Sequence, residues 1–224
     1  MAGPIQDFQV TRWRPLFLLG ALLIIGVVAP IVETLLQGIG ALLTEGAIAI
    51  SLFAVLMTGR FSKTLFWVAV FLLALNVAST ASWLIADSVA ARRTASASGF
   101  VFLCVLAVSA IRAILEPGPV TIDKMVIAIC VYLMIGVGWA ELYHLIYSIN
   151  PSSFEGIGEV AGHQLSWRLN YFSFVTLTTL GYGDILPVTP LAQSITVIET
   201  LVGQMYLAVL VAALVSAYLA ENRE

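Results

Sequence analysis

Charge is what this sequence has least of. Lys, Arg, Asp and Glu together make up 10% of its 224 residues, while 60% of positions are hydrophobic. Soluble domains carry about 25% charged and about 45–50% apolar residues. So few charges cannot cover the surface of a soluble domain of this size, whereas lipid solvates apolar side chains without them. The net charge of −3, with no basic cluster beyond Arg92-Arg93, excludes the electrostatic footprint of a nucleic-acid binder. Cysteine is equally scarce: Cys104 and Cys130 both lie inside apolar runs and read as buried small hydrophobes. No CxxC spacing, HExxH motif or glycine-rich phosphate loop occurs, so nothing points to a zinc or nucleotide site, and the chain does not read as an enzyme. Sustained polar segments and internal repeats are absent too, which leaves no place for a separate soluble domain.

What is present is hydrocarbon in long runs. Six stretches, residues 15–36, 38–57, 65–86, 97–115, 121–147 and 191–220, are long enough to cross a membrane core of about 30 Å. The breaks between them are legible. Gly38-Ile39-Gly40 is a tight turn, residues 59–63 a short polar loop, and residues 87–98 a polar loop of small side chains. Pro117-Gly118-Pro119 cannot continue a helix, because proline lacks a donor and clashes with the preceding turn. The first run follows Arg12 and Arg14 as a signal peptide would, but it exceeds the ~7–15 apolar residues of a signal h-region. It therefore reads as a retained span.

The fold class expected is an all-α integral membrane protein with six transmembrane helices and one additional short helix. Basic residues set its orientation. With the N-terminus cytoplasmic, Arg12, Arg14, Arg60, Lys63, Arg112, Lys124 and Arg223 fall inside, and Arg92, Arg93 and Arg168 outside. This predicts cytoplasmic N- and C-termini. Trp13, Trp67 and Trp83 fall near span ends, where interfacial anchors or ordinary packing both place tryptophan.

Between the fifth and sixth runs the character changes. Residues 150–164 are polar and glycine-containing, and predict a solvent-facing loop. Ser166 can cap a short apolar helix over residues 167–178, too short to span. Thr189-Pro190 reads as the N-cap and first position of the last long helix. Between them lies Thr176-Leu177-Thr178-Thr179-Leu180-Gly181-Tyr182-Gly183-Asp184.

That motif, after a short helix and between two spans, resembles the pore of potassium channels, whose filter is written TVGYG. The resemblance covers residues 121–224 and is closest to bacterial six-helix members of the ion-channel superfamily. It implies a four-helix bundle over residues 1–116 and a pore domain over 117–224, made of outer helix, turret, pore helix, filter and inner helix. A K⁺ ion that enters such a pore exchanges its water for oxygens aimed at one axis. Successive carbonyls share a side only if ordinary and left-handed dihedrals alternate, and glycine reaches the left-handed values freely. Gly181 and Gly183 then let the carbonyls of Thr179, Leu180, Gly181 and Tyr182 line a column, with the Thr179 hydroxyl adding a ring at its inner end. The K⁺ ligands implied are those of residues 179–183, with Tyr182 turned away to brace the filter. K⁺ is the permeant ligand and no cofactor is expected.

The resemblance also marks departures. Leu180 stands where the family has valine, which predicts altered packing away from the ion. Tyr171-Phe172 occupies the place of a Trp-Trp pair, which puts in doubt the hydrogen bond usually made there to the filter. Val175 replaces a glutamate found behind some bacterial filters. Thr178 and Asp184 flank the filter, and Asp184, Glu155 and Glu159 can make the outer mouth negative. Glu199, inside an apolar run, is expected to brace the filter's back. One filter copy is one side of a four-sided cage, so the resemblance implies a homotetramer with fourfold cyclic symmetry in a bacterial cell membrane.

For gating, Gly203 matches the family's hinge glycine, with close helix packing as the equal alternative. Val211, Val215 and Leu219, at four-residue spacing, can form a hydrophobic constriction or simply pack. Glu141, His144 and His163 are candidates for a proton sensor or for ordinary hydrogen bonding. The fourth run holds Arg112 where a voltage sensor repeats arginine every third residue. One charge crossing 100 mV is worth about 2.3 kcal/mol, so weak or no voltage dependence is expected. The short linker at 116–120 predicts each bundle beside its own pore rather than its neighbour's. Rival readings are a potassium transporter, a non-selective cation channel, and a membrane sensor with a vestigial pore.

Overall fold

The computed structural model describes residues 63–86, 88–115, 121–158 and 162–221, with a few isolated positions nearer the N-terminus. The two spans expected at 15–36 and 38–57, the 116–120 linker, and the termini lie outside the described residues. Contacts divide the chain into two units: Met1–Phe71 with Val105–Met134, and Leu72–Cys104 with Ile135–Glu224. In the first, Leu106, Ala110, Ala128, Cys130 and Met134 are buried. The glycine-rich motif and everything around it belong to the second.

Five helices are described: α1 Lys63–Ala86, α2 Val89–Ile114, α3 Ile122–Ile149, α4 Gly162–Leu177 and α5 Pro190–Glu221. All but α4 are long and apolar enough to cross a membrane. Their surface agrees with a lipid setting. Trp67 and Phe71 on α1, and Met205 and Val209 on α5, are about two-thirds exposed in the single chain. Water would disfavour such surface, and lipid or a neighbouring protein accepts it.

Most of the stretch expected to be a polar loop at 87–98 is helix, from Val89 onward. Helix α2 begins at Val89, because Ser88 caps it: its Oγ accepts from the Ala91 amide at 3.4 Å, and its carbonyl accepts from Arg92. Two of the small hydroxyls that suggested a break are satisfied on the helix itself. Thr94 donates to the Ala90 carbonyl at 2.9 Å and Ser98 to the Ala95 carbonyl at 3.0 Å. Alanine, the best helix former, fills much of the remainder.

After α3 the chain turns on Asn150, whose side chain accepts from the Ser152 amide, and enters a 3₁₀ turn at Pro151–Ser153. Two two-residue strands follow from distant places. β1, Phe154–Glu155, pairs antiparallel with β2, Leu186–Pro187, in the register Phe154↔Pro187 and Glu155↔Leu186. The loop expected to face solvent is thus partly core: Phe154 and Ile157 are buried. Phe154 meets Tyr143 of α3 and Phe172 of α4, and the three rings lie 5.0–5.5 Å apart edge-to-face. Each such pair adds about 0.5–1.5 kcal/mol beyond burial. Gly156, at φ +84°, lies so close to the Asp184 carbonyl that a Cβ would stand 1.9 Å from its oxygen. The loop before α4 is therefore fastened to the chain after the motif by a ladder and a glycine, and to α3 and α4 by the ring cluster.

Candidate functional site

Helix α4 starts at Gly162, earlier than the Ser166 cap predicts, and Ser166 lies within it. Its 16 residues reach about 24 Å, short of a ~30 Å core. The chain then caps its own helix end. The Thr179 amide donates to the Thr176 carbonyl at 2.9 Å, and the Leu180 and Gly181 amides both donate to the Val175 carbonyl, at 2.9 and 3.3 Å. The Thr178 hydroxyl donates to the Phe174 carbonyl at 2.7 Å.

From there every second residue is left-handed: Thr179 at φ 60°, Gly181 at 58° and Gly183 at 76°. No other non-glycine residue among those described has a positive φ. Among the described residues, the immediate chain neighbours aside, nothing lies within 4 Å of a Cβ built on Gly181 or Gly183. These glycines are thus required for their dihedrals, not for room. Thr179 bears the cost that glycine avoids, roughly 1–2 kcal/mol for a left-handed L-residue. Its hydroxyl donates to the Thr178 carbonyl at 2.6 Å, a local bond that favours this turn.

The Tyr182 ring leaves the segment and stacks on Tyr171 of α4, centroids 6.4 Å apart and planes within 9°. The Asp184 carboxylate acts on the Tyr171 hydroxyl. Desolvation raises the Tyr171 pKa above the ordinary tyrosine value, and the hydrogen bond to Asp184 and the charges of Asp184 and Tyr182 add to it. The favourable Tyr171–Asp184 interaction is therefore complete below the ordinary phenol pKa, near 10, and is lost as pH rises through the raised value. Thermal unfolding followed against pH should show an alkaline loss of stability in the wild type, and a smaller one in Tyr171→Phe. Equal alkaline losses would show that the pair does not matter. Phe172 points elsewhere, into the ring cluster with Tyr143 and Phe154. It supports the loop and α3 rather than touching the motif. Leu180 is exposed in the single chain.

Behind α4 sits Glu199, with no exposed surface. Tyr143 of α3 donates a short hydrogen bond to Glu199 Oε2. Ser173 of α4 lies 2.5 Å from Glu199 Oε1 and 2.7 Å from the Gly136 carbonyl of α3. Glu199 thus joins α5 to α4 and α3, one layer behind the glycine-rich segment. Gly203 presses on the end of α4: a Cβ there would stand 2.5 Å from the Leu177 carbonyl oxygen. Of the two roles open to Gly203, close packing is the one this contact supports. The next residue, Gln204, was not singled out in the sequence. Its Nε2 lies 3.4 Å from the Thr179 hydroxyl. The available signal was a lone amide within the run Leu201-Val202-Gly203-Gln204-Met205.

The remaining candidates lie apart from this group or beyond description. His144 Nδ1 pairs with Ser96 of α2 at 2.9 Å, and a Cβ on Gly99 of α2 would meet Glu141 and Asn76. These carboxylate and imidazole groups pack among α1, α2 and α3. Glu155 is exposed on β1, and Val211 is exposed on α5. The side chains of Glu159, His163, Val215 and Leu219 lie outside the described residues.

Residues 161–220 match the family described as Ion channel. This segment runs from α4 through the motif to α5. Over 104 residues the chain is 35% identical to "Two-pore potassium channel 5" of Arabidopsis thaliana, across 45% of this chain and 23% of that one. The chain thus spans under a quarter of that relative's length. No solved structure matches the chain significantly. With four helices able to cross a membrane, the protein is a multi-pass membrane protein bearing a segment similar to the ion-channel family.

Proposed function

We propose that the chain is the subunit of a K⁺-selective channel, with Thr179, Leu180, Gly181, Tyr182 and Gly183 as its filter. The observation that carries this reading is the left-handed alternation at Thr179, Gly181 and Gly183. Such alternation turns successive carbonyls to one side, which a packed turn does not need and a column of ion ligands does. Irregular backbone at membrane depth is stable only where it is buried in protein or lines a water-filled path. The Tyr182–Tyr171 stack supports a filter of fixed width, and the similarity to a potassium channel supports K⁺ as the ion.

Four copies around one axis would complete the cage, and the stripe Leu201, Met205 and Val209 of α5 favours assembly, since more than half of each side chain is exposed in the single chain. Six spans per subunit, with both termini cytoplasmic and each bundle beside its own pore, complete the proposed arrangement. The C-terminal end of α4 would lend about half a negative charge toward an entering cation. Asp184 would form the outer lip. Arg112 is the basic residue in the last turn of α2, and Arg92 and Arg93 sit at that helix's start. Arg92 lies over the Trp83 ring, and Arg93 donates to the Ser148 carbonyl at 2.7 Å. That distribution is not a ladder of gating charges.

Purified protein in liposomes with a K⁺ gradient tests the reading. K⁺ flux that greatly exceeds Na⁺ flux, with a nearly flat conductance–voltage relation, is the expected result. Equal Na⁺ flux would refute selectivity, no flux would refute conduction, and steep voltage dependence would refute the role given to α2.

A further inference from the structure

The inner end of the motif carries a polar contact that its resemblance to a channel filter does not require. Gly203 lets α5 approach the last carbonyl of α4, and this sets Gln204 beside Thr179. Gln204 and Tyr206 are the polar residues in an otherwise apolar stretch over 201–215. An amide in such a stretch is costly unless it finds a partner. The partner here is an oxygen that already has a task.

A threonine hydroxyl has one proton and two lone pairs. The Thr179 proton goes to the Thr178 carbonyl at 2.6 Å. Gln204 Nε2, at 3.4 Å, presents an N–H to one lone pair. One lone pair remains for an ion. An N–H aimed at a ligand oxygen also lowers the negative potential that oxygen offers a cation. We infer that Gln204 is a positioning residue that weakens cation binding at the innermost filter site by engaging the Thr179 hydroxyl. The inference rests on the K⁺-channel reading. Its consequence for conduction is direct, since a conducting site must bind strongly enough to admit an ion and weakly enough to release it. In a fourfold assembly the effect would act on all four hydroxyls of the ring.

Ba²⁺ is the probe, being close to K⁺ in size with twice its charge, so it dwells where K⁺ ligands converge. Calorimetric titration of Ba²⁺ into the detergent-purified full chain should show about tenfold tighter binding in Gln204→Leu, which deletes the donor at similar volume. Gln204→Met is the second variant, to be read if Leu disturbs assembly. On a Thr179→Val background, where no hydroxyl exists, the same substitution should change nothing. Unchanged or weaker Ba²⁺ binding in Gln204→Leu, a shift that survives Thr179→Val, or no Ba²⁺ binding by the wild type would each overturn the assignment. Liposome flux separates this from the channel reading. A wild type that binds Ba²⁺ and shows the shift, but passes no K⁺, would sink the channel and leave the site. A K⁺-conducting wild type whose Ba²⁺ affinity ignores position 204 would do the reverse.

Discussion

Gly181→Ala should abolish K⁺ flux. Gly181 holds φ at 58°, between Leu180 and Tyr182. An alanine there would place a Cβ against the following carbonyl, at roughly 1–2 kcal/mol per copy. Among the described residues, the immediate chain neighbours aside, that Cβ meets nothing within 4 Å, so the cost within the subunit is one of dihedral. The strain is instead relieved if the residue returns to negative φ. That rotation swings the adjoining peptide and turns one carbonyl away from the common side. In a fourfold assembly the cost sums to roughly 4–8 kcal/mol, comparable with the whole stability of many domains. Loss of flux with retained assembly, measured as K⁺ release from liposomes beside the elution volume in detergent, is the expected result. Wild-type flux in Gly181→Ala would show that the left-handed residue is incidental. Gly183→Ala, at φ 76°, should behave alike. The comparison with Gly203 is instructive, because there alanine would meet the Leu177 oxygen and the failure would be one of packing.

The central motif was legible because its physics is local. Two glycines at alternate positions specify dihedrals, and Thr189-Pro190 specifies a helix start that the structure places there, with the Thr189 hydroxyl accepting from the Ala192 amide at 3.4 Å. Where the sequence reading missed, the deciding interaction was either non-local or hidden in a residue type with two uses. Thr94, Ser96 and Ser98 read as loop by composition, yet Thr94 and Ser98 bond back to their own helix and Ser96 pairs with His144 across 48 positions. Phe154 reads as one apolar residue in a polar loop, and only its partners Tyr143 and Phe172 make it core. A two-residue ladder leaves no periodicity to find. Thr179 gives no warning of a left-handed φ, since its conformation follows from the helix end it caps. Tyr171 reads as a departure from tryptophan, and its ring stacks on that of Tyr182 across 11 positions. Glu199, expected to brace the motif's back, is buried against Tyr143 and Ser173, partners that lie 56 and 26 positions away.

Those neighbours make Glu199 the position where truncation should do most harm to stability. Ser173 has one proton and two oxygens within reach of its hydroxyl, Glu199 Oε1 at 2.5 Å and the Gly136 carbonyl at 2.7 Å. Tyr143 presents its proton to Glu199 Oε2. Glu199→Ala removes both oxygens, strands the Tyr143 hydroxyl in a site with no exposed surface, and opens a cavity between three helices. An unsatisfied buried hydroxyl costs about 1–3 kcal/mol, and a cavity of this size a similar amount or more, so a loss of roughly 3–5 kcal/mol per copy is expected. Glu199→Gln should be far milder. The amide offers its carbonyl to Tyr143 and an N–H to Ser173, which frees the Ser173 proton for Gly136. The three helices stay joined with the same number of heavy atoms. Apparent melting temperature in detergent should therefore fall steeply for Glu199→Ala and little for Glu199→Gln. If both variants melt together, the hydrogen-bond geometry at 199 is irrelevant and volume alone matters. If Glu199→Ala melts with the wild type, the three-helix joint is not held there at all.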